Sequence, residues 1–590
     1  MMAGTVIEVL VKTGDQVTDG MEIAILESMK MQMPVVAFSA GTIRAIHATI
    51  GDVLAEDAVV ATIDITGATH QESEESIIDL TEIRPDLGAL QARLQALTDE
   101  ARLEATTRRH ATGKRMIREN IGDLCDPESF SEYGALALAA QRRRRTMEEL
   151  IRLSPADGLI AGIGTVHSRP TAVLGYDYTV MAGTQGFMNH KKTDRLLRVV
   201  HEQRLPLVLF AEGGGGRPGD TDVMGVAGLD LTSFASFARL SGKAPLLGIA
   251  SGFCFAGNAA FLGCCDSIIA TKDSSMGMGG PAMIEGGGLG VVAAEDVGPV
   301  SVQFPNGVID IVADDETHAV AIAKNYLAYF NGKSDHHTHQ DQRHLRQAVP
   351  PDRKRIYDMR ALIHILADTD SVLELRRAFA PGMITSLIRI EGSPFGLIAN
   401  NPAHLGGAID ADGADKAARF LQLCEAHALP VISLCDTPGF MVGPHIETKA
   451  QIRHVSRLFV GAAKLTVPVF CIVTRKGYGL GAMAMAAGGF HEPVFSIAWP
   501  TGEFGGMGLE GAVRLGYRRE LAAIENPVER QAMFDKMVEK LYEEGQAMNM
   551  AAYVEIDAVI DPAETRGWIT RGLTITVNRP HQGVRFIDTW

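Results

Sequence analysis

Two stretches of this chain repeat one another at a fixed spacing of 224 residues, and that spacing constrains the fold more than any other feature. "RPTAVLGYDYTV" aligns with "SPFGLIANNPAH", Pro170 falling on Pro394. "KKTDRLLRVVHEQRLPLVLFAEGGG" aligns with "DKAARFLQLCEAHALPVISLCDTPG", which puts Lys192 on Lys416, Pro206 on Pro430 and Glu212 on Asp436. "SGFCFAGNAA" aligns with "RKGYGLGAMA", Gly257 falling on Gly481. A constant offset over such a span means two copies of one fold. Each copy reads as strand, amphipathic helix, apolar strand ("LVLF", "VISLC"), glycine turn, then another strand and helix. That order predicts an α/β fold with right-handed crossovers.

A shorter repeat precedes it. "AGTVIEVLVKTGDQV" from Ala3 matches "AGTIRAIHATIGDVL" from Ala40 at an offset of 37, pairing Gly4 with Gly41 and Gly14-Asp15 with Gly51-Asp52. Each copy alternates apolar and polar residues up to a Gly-Asp turn, so the two halves predict one small all-β sandwich. "LESMKMQM", Leu26 to Met33, falls between the halves and sets Lys30 among methionines on a hairpin turn. Exposed sulfur-bearing side chains are uncommon on such a turn. The polar stretch "ITGATHQESEESIID", residues 65–79, reads as a flexible linker that reaches about 50 Å when extended.

The net charge of −16 argues against a nucleic-acid partner. The seven cysteines form no CxxC pair, which predicts a reducing cytoplasm and no zinc ribbon. No signal peptide and no uninterrupted apolar run long enough for a membrane span is expected.

The chemistry concentrates at two glycine turns. "PLLGIASG" is an apolar strand leading through "FCFAGNAAF" into a helix; "VPVFCIVTR" leads through "KGYGLGAMAM". Such a turn points unpaired backbone N–H groups outward beside the positive end of a helix, and two of them can hold a developing oxyanion. A single turn of this kind is equally well explained by tight packing of helix on strand; two at the repeat offset favour function. There is no G-x-S-x-G elbow, no H-E-x-x-H and no ATP-binding signature; "AEGGGGRPG" reads as a strand-end turn, and "NGKS" at Asn331 is not a phosphate loop because Leu327 stands where its first glycine belongs.

The repeat around "ESMKM" resembles the biotinyl carrier domain of biotin-dependent carboxylases. There the lysine between two methionines receives biotin and a ligase reads the turn. A lipoyl carrier shares the fold but usually shows Asp-Lys-Ala. The family normally has a few more residues before the Ala-Gly, forming an extra edge strand. From about residue 80 to 575 the chain resembles the carboxyltransferase (beta) subunit of acyl-CoA carboxylases of the propionyl-CoA and methylcrotonyl-CoA type. The motifs are "GKRMIRENIGDLCDPESFSEYG", "ADGLIAGIGTV", "ANNPAHLGGAIDADGADKAARF", "TPGF", "AWPTGEFGGMGLEGAV" and "IDPAETR".

This resemblance implies tandem crotonase-like (ClpP/crotonase) α/β domains behind a biotinyl/lipoyl-like sandwich. Expected boundaries are 1–64 carrier, 65–79 linker, 80–332 first copy, 333–355 connector and 356–590 second copy. It implies transfer of CO2 from carboxylated biotin on Lys30 to the α-carbon, or vinylogous carbon, of an acyl-CoA. Two oxyanions arise, each needing a pair of backbone donors. Carried over by motif, Ala256 and Gly257 hold the thioester carbonyl, while Leu480 and Gly481 hold the biotin carbonyl. The family usually has Gly-Gly and Gly-Ala there, so the Leu480 side chain must point away. The implied partners are a biotin protein ligase and a separate biotin carboxylase that uses ATP and bicarbonate. The implied assembly is a cytoplasmic homo-hexamer, a trimer of dimers, with no metal.

Four arginines, Arg142, Arg143, Arg144 and Arg145, precede the first copy and read either as a solvated helix face or as a contact for CoA phosphates. His336, His337, His339 and His344 fall in the connector, which Pro350-Pro351 marks as a solvated link rather than a metal site. Two features bear on substrate. "EDVGPVSVQFPNG" stands where propionyl-type relatives read Leu-Gly-Gly-Ala and a histidine. The order carrier-then-carboxyltransferase resembles the C-terminal half of single-chain long-chain acyl-CoA carboxylases, so a longer acyl chain is expected. The alternatives are a decarboxylase or transcarboxylase running the same site in reverse, and a non-catalytic carrier scaffold.

Overall fold

The computed structural model describes residues 3–66, 81–223, 228–577 and 585–590. It divides into two compact units, Met1–Pro85 and Asp86–Trp590. Most of the expected linker lies outside the described residues.

The first unit is built from the 37-residue repeat. Its strands are β1 (Gly4–Val9), β2 (Gln16–Val17), β3 (Glu22–Ser28), β4 (Met31–Val36), β5 (Gly41–Ile46), β6 (Val53–Leu54) and β7 (Ala61–Ile65). They form a four-stranded sheet, β4-β3-β1-β6, and a three-stranded sheet, β2-β5-β7. The matching Gly-Asp turns close in the same way. Gly14 and Gly51 both have φ of 97°, and the Asp15 and Asp52 carboxylates accept the N–H groups of Lys12 and Thr49, each at 2.7 Å. The alternating residues Val6, Ala24, Leu26, Val35 and Ile43 fill the space between the sheets.

The second unit holds the two large copies. The first contributes β8 (Ser131–Glu132), β9 (Leu159–Val166), β10 (Arg169–Tyr176), β11 (Leu207–Gly213), β12 (Leu246–Phe255), β13 (Ser267–Thr271), β14 (Ser275–Gly277) and β15 (Ile311–Ala313). The second contributes β16 (Leu373–Leu375), β17 (Met383–Ile390), β18 (Ser393–Asn400), β19 (Val431–Thr437), β20 (Val469–Tyr478), β21 (Phe495–Ala498), β22 (Glu503–Gly505) and β23 (Ala558–Val559). The sheet orders are β15-β13-β12-β11-β10-β9-β8 and β16-β17-β18-β19-β20-β21-β23, with β14 added beside β12 and β22 beside β20.

The central strands run parallel, as the alternation of elements requires, but each copy opens with an antiparallel hairpin, β9-β10 and β17-β18. The cause is local. His167-Ser168 and Glu391-Gly392 all take positive φ, and a two-residue turn of that hand reverses the chain at once. Helices Phe187–Gln203 and Ala411–Ala426 then make the crossovers to β11 and β19. On their buried faces Lys192 and Lys416 end on main-chain carbonyls, Lys192 on Ala156 (3.0 Å) and Leu159, Lys416 on Arg376 (2.8 Å) and Phe379 (2.9 Å). Each lysine ties down a turn that contains positive-φ residues, Ala156-Asp157 and Arg376 with Ala380.

The copies are not independent bodies. One apolar core runs through both, joining Val173 and Ile249 to Phe420 and Val431. Arg419 donates to the Asp266 carbonyl at 2.6 Å, and His427 Nε2 lies 3.0 Å from the Asp266 carboxylate. The connector also differs from a solvated link. Leu345 and Val349 are buried in the second copy's core, and Arg346 pairs with Asp561. His336, His337 and His339 stay exposed, and the described residues contain no group of three or more His, Cys, Asp or Glu side chains arranged to hold a metal ion.

Candidate active site

Lys30 stands at the tip of the β3-β4 hairpin. Ser28 pairs with Met31, leaving Met29 and Lys30 as a two-residue loop with φ of 51° and 66°. Such loops favour Asn-Gly because both central residues need positive φ. Met29 and Lys30 adopt it at a steric cost. Met29 is 92% exposed and Met31 68%, with the lysine between them open to solvent. A covalently carried cofactor and a modifying enzyme both have access.

In the first copy, β12 ends at Phe255 and the helix Gly257–Gly263 begins after Ala256. The Gly257 N–H has no acceptor among the described residues, but the Ala256 N–H donates to the Gly277 carbonyl at 3.0 Å. The added strand β14 spends that amide. Ala256, expected as an oxyanion donor beside Gly257, is therefore corrected: its N–H is not available, and Ala256 is instead a strained pivot at φ 51°. A second open amide lies in the neighbouring loop. After β11, Gly214 donates to the Ala182 carbonyl at 3.3 Å and Gly215 to the Asn258 Oδ1 at 3.0 Å, whereas the Gly216 N–H has no acceptor among the described residues. The loop touches the helix start, since a Cβ on Gly215 would sit 3.4 Å from the Gly257 nitrogen. A Cβ at 257 would meet Gln185 Oε1 at 2.1 Å, so any side chain there displaces the Gln185 amide.

The second copy repeats the arrangement. The helix Gly479–Met485 follows β20, and neither Leu480 nor Gly481 has an acceptor for its N–H among the described residues. Leu480 is 61% exposed, so its side chain is not spent on core packing. In the adjoining loop Gly439 donates to Thr437 Oγ1 at 3.1 Å, while Phe440 has no acceptor among the described residues. A Cβ on Gly481 would lie 3.1 Å from the Phe440 nitrogen and 2.7 Å from the Gly439 Cα. Gly216 and Phe440 are related by the same offset of 224 as Gly257 and Gly481. Sequence reasoning missed both. Glycine and phenylalanine do not look equivalent, yet an amide donor needs no particular side chain.

A buried acid ends each preceding strand, and each is neutralised. Glu212 makes two bonds to Arg109, at 2.8 and 2.7 Å, with Glu316 3.5 Å from the same guanidinium. Burial pushes the Glu212 carboxyl up to about 7 while Arg109 pulls it back. Asp436 accepts from Tyr357 at 2.8 Å and pairs with Lys476 at 2.8 Å and Arg475 at 3.2 Å. These cations keep uncompensated negative charge away from turns that must receive more of it.

The four arginines are exposed, and three of them attach to the loop that begins at Gly216. The Arg142 and Arg143 N–H groups bond the Asp222 carboxylate at 2.6 and 3.0 Å, and Arg144 reaches the Gly219 carbonyl at 3.4 Å. Arg145 bonds Gln141 at 3.2 Å.

Two α/β copies, each with open amides at a helix start and in the adjoining loop, thus share the chain with a lysine-tipped β-sandwich. Comparison with known proteins names the family. The carboxyl transferase domain matches residues 108–585, and the chain belongs to that family; the biotin-requiring enzyme domain matches residues 1–63, so the carried cofactor is biotin. The methylmalonyl-CoA carboxyltransferase 12S subunit of Propionibacterium freudenreichii subsp. shermanii is 31% identical, covering 81% of this chain and 91% of that one. The propionyl-CoA carboxylase beta chain of Saccharopolyspora erythraea is also 31% identical, covering 80% and 90%. The solved structure of a single-chain, multi-domain long-chain acyl-CoA carboxylase is 52% identical with a TM-score of 0.80; it matches 97% of this chain, which spans only 55% of that enzyme. The transcarboxylase 12S hexamer has a TM-score of 0.75 at 29% identity, covering 86% of this chain and 99% of that one. The chain is thus a carboxyltransferase of the biotin-dependent acyl-CoA carboxylase class, with a biotin carrier domain on the same polypeptide. No helix among the described residues is long and apolar enough to cross a membrane.

Proposed function

We propose that this chain transfers a carboxyl group between biotin attached to Lys30 and the α-carbon of an acyl-CoA, using two main-chain donor pairs. Biotin, when bound, supplies a carboxyl group in a transferable form. Gly257 and Gly216 hold the thioester carbonyl oxygen as the α-proton leaves and charge builds on it. Gly481, with the open N–H groups of Leu480 and Phe440 on either side, holds the carbonyl oxygen of the cofactor. Preorganised amides lower the barrier because they need not reorient as charge develops, and losing one such donor costs about 2.7–4 kcal/mol. The observation that carries the reading is the recurrence, in both copies, of an open helix-start amide beside an open loop amide. It also speaks against a degenerate scaffold, in which nothing would keep these amides unengaged.

The exposed Arg142–Arg144 strip, tied to the Gly216 loop, receives the CoA phosphates. A separate biotin carboxylase charges the carrier with ATP and bicarbonate after a biotin protein ligase has modified Lys30. The chain assembles as a hexamer in the manner of the 12S subunit, in the cytoplasm, and takes an acyl chain longer than propionyl. A second reading, favoured by 28% identity over 83% of this chain with methylmalonyl-CoA decarboxylase subunit alpha of Veillonella parvula, runs the same site in reverse as a decarboxylase. The test is carboxylation of free biotin by malonyl-, methylmalonyl- or a long-chain alkylmalonyl-CoA. Turnover with at least one is expected, and none with any would overturn the reading.

A further inference from the structure

A run of four glycines, Gly213 to Gly216, has no side chain with which to hold its own path, yet one of its amides must stay aimed at a substrate oxygen. Asn258 solves this problem in the first copy. It is the second residue of the helix Gly257–Gly263 and fully buried. Its Oδ1 accepts the Gly215 N–H at 3.0 Å, and its Nδ2 donates to the carbonyls of Gly183 at 3.3 Å and Glu212 at 3.2 Å. One side chain thereby fastens two main-chain segments, the Glu212–Gly215 stretch and the turn at Gly183, to the helix that carries the Gly257 donor.

In the second copy Ala482 stands in the place of Asn258, and no such brace is possible. The amide equivalent to Gly215 is Gly439, and another side chain engages it. Thr437, fully buried at the end of β19, accepts the Gly439 N–H on Oγ1 at 3.1 Å and donates its hydroxyl to the Gly439 carbonyl at 3.2 Å. Different residues at different places in the repeat do the same thing. Each consumes the amide one position before the open one, so the next amide, Gly216 or Phe440, is the first left for a ligand.

We propose that Asn258 and Thr437 are positioning residues that select and aim the loop donor of each oxyanion pair. The inference rests on the donor assignment above. Neither residue touches substrate; each acts through the loop it fastens.

The test uses the full chain and free biotin, with whichever carboxylated acyl-CoA the parent turns over. Asn258→Ala and Thr437→Val are expected to lower kcat roughly 30- to 100-fold, the scale of a misplaced catalytic group, with KM for the CoA thioester within about threefold. Thr437→Ser keeps the hydroxyl and recovers most of the rate. Asn258→Asp is pH-sensitive: its protonated carboxyl both accepts and donates, so its activity relative to the parent climbs as pH falls. Turnover by Asn258→Ala and Thr437→Val within threefold of the parent, Thr437→Ser no faster than Thr437→Val, or Asn258→Asp following the parent's pH profile would each overturn the proposal. So would failure of both Asn258→Ala and Thr437→Val to fold. A parent inactive with every thioester would instead sink the donor assignment itself.

Discussion

Gly481 packs directly on the loop that carries the Phe440 amide: a Cβ on Gly481 would lie 3.1 Å from the Phe440 nitrogen, with Gly439 Cα at 2.7 Å. The helix start and the strand-end loop of the second copy are in direct contact, and both amides are open. Valine is bulkier than the alanine the family usually carries at this place, so Gly481→Val must push the loop away. We expect kcat for carboxylation of free biotin to fall about 10²- to 10³-fold, the loss that follows removal of one oxyanion donor. Steady-state kinetics on the folded variant measure it, and a rate within threefold of the parent refutes the assignment.

In the proposed reading Lys30 carries the biotin and takes no part in the donor pairs. Lys30→Arg keeps a cation on the turn but has no amine to acylate. The variant should carry no biotin by mass spectrometry and show no carboxylation of an acyl-CoA with a biotin carboxylase present, while free biotin is still carboxylated at the parent's rate. Loss of the free-biotin reaction would mean that the turn does more than carry.

In the proposed reading, the three arginines bonded to the Gly216 loop bind the CoA phosphates. Replacing Arg142, Arg143 and Arg144 by alanine should raise KM for the CoA thioester about tenfold, equivalent to 1.4 kcal/mol, and leave kcat within a factor of two. The parent's KM should rise with salt and the variant's much less, because exposed charge pairs are screened. An unchanged KM removes this contact.

Burial pushes Lys416 down to about 7 and Lys192 to about 8 from an ordinary value of 10.5. Between these values and 10.5 the unfolded chain binds more protons than the folded one, so stability rises with pH and the contribution is lost as pH falls through 7 to 8. A neutral Lys416 amine still has two N–H donors for its two carbonyls. Lys416→Met removes its share of the slope: the parent's advantage in urea midpoint should widen from pH 7 to pH 10. A constant difference across that range contradicts the linkage.

Much of this was legible in the sequence because repetition preserves pattern. Leu159–Val166 and Met383–Ile390 are strands for the same reason, and so the tandem architecture follows from spacing alone. The hairpin bearing Lys30 was legible by its position between repeats, although its positive-φ Met-Lys loop carries no Asn-Gly signal. What sequence could not reveal is which amides remain open. Ala256 and Gly257 look alike as donors until β14 pairs with β12 and takes one of them. Gly216 and Phe440 share a role through their backbone while their side chains share nothing. Asn258 reads as a stray polar residue among small ones until its three main-chain partners are in place. The connector read as solvated because its histidines and prolines are; Leu345 and Val349, four residues apart, are the part that packs.

The most direct measurement is a crystal structure of the chain with an acyl-CoA bound. The thioester oxygen should lie about 2.7–3.1 Å from both the Gly257 and Gly216 nitrogens, with the Ala256 N–H still held by Gly277. An oxygen bound to neither amide, or bound to an Ala256 N–H released from Gly277, would contradict the account.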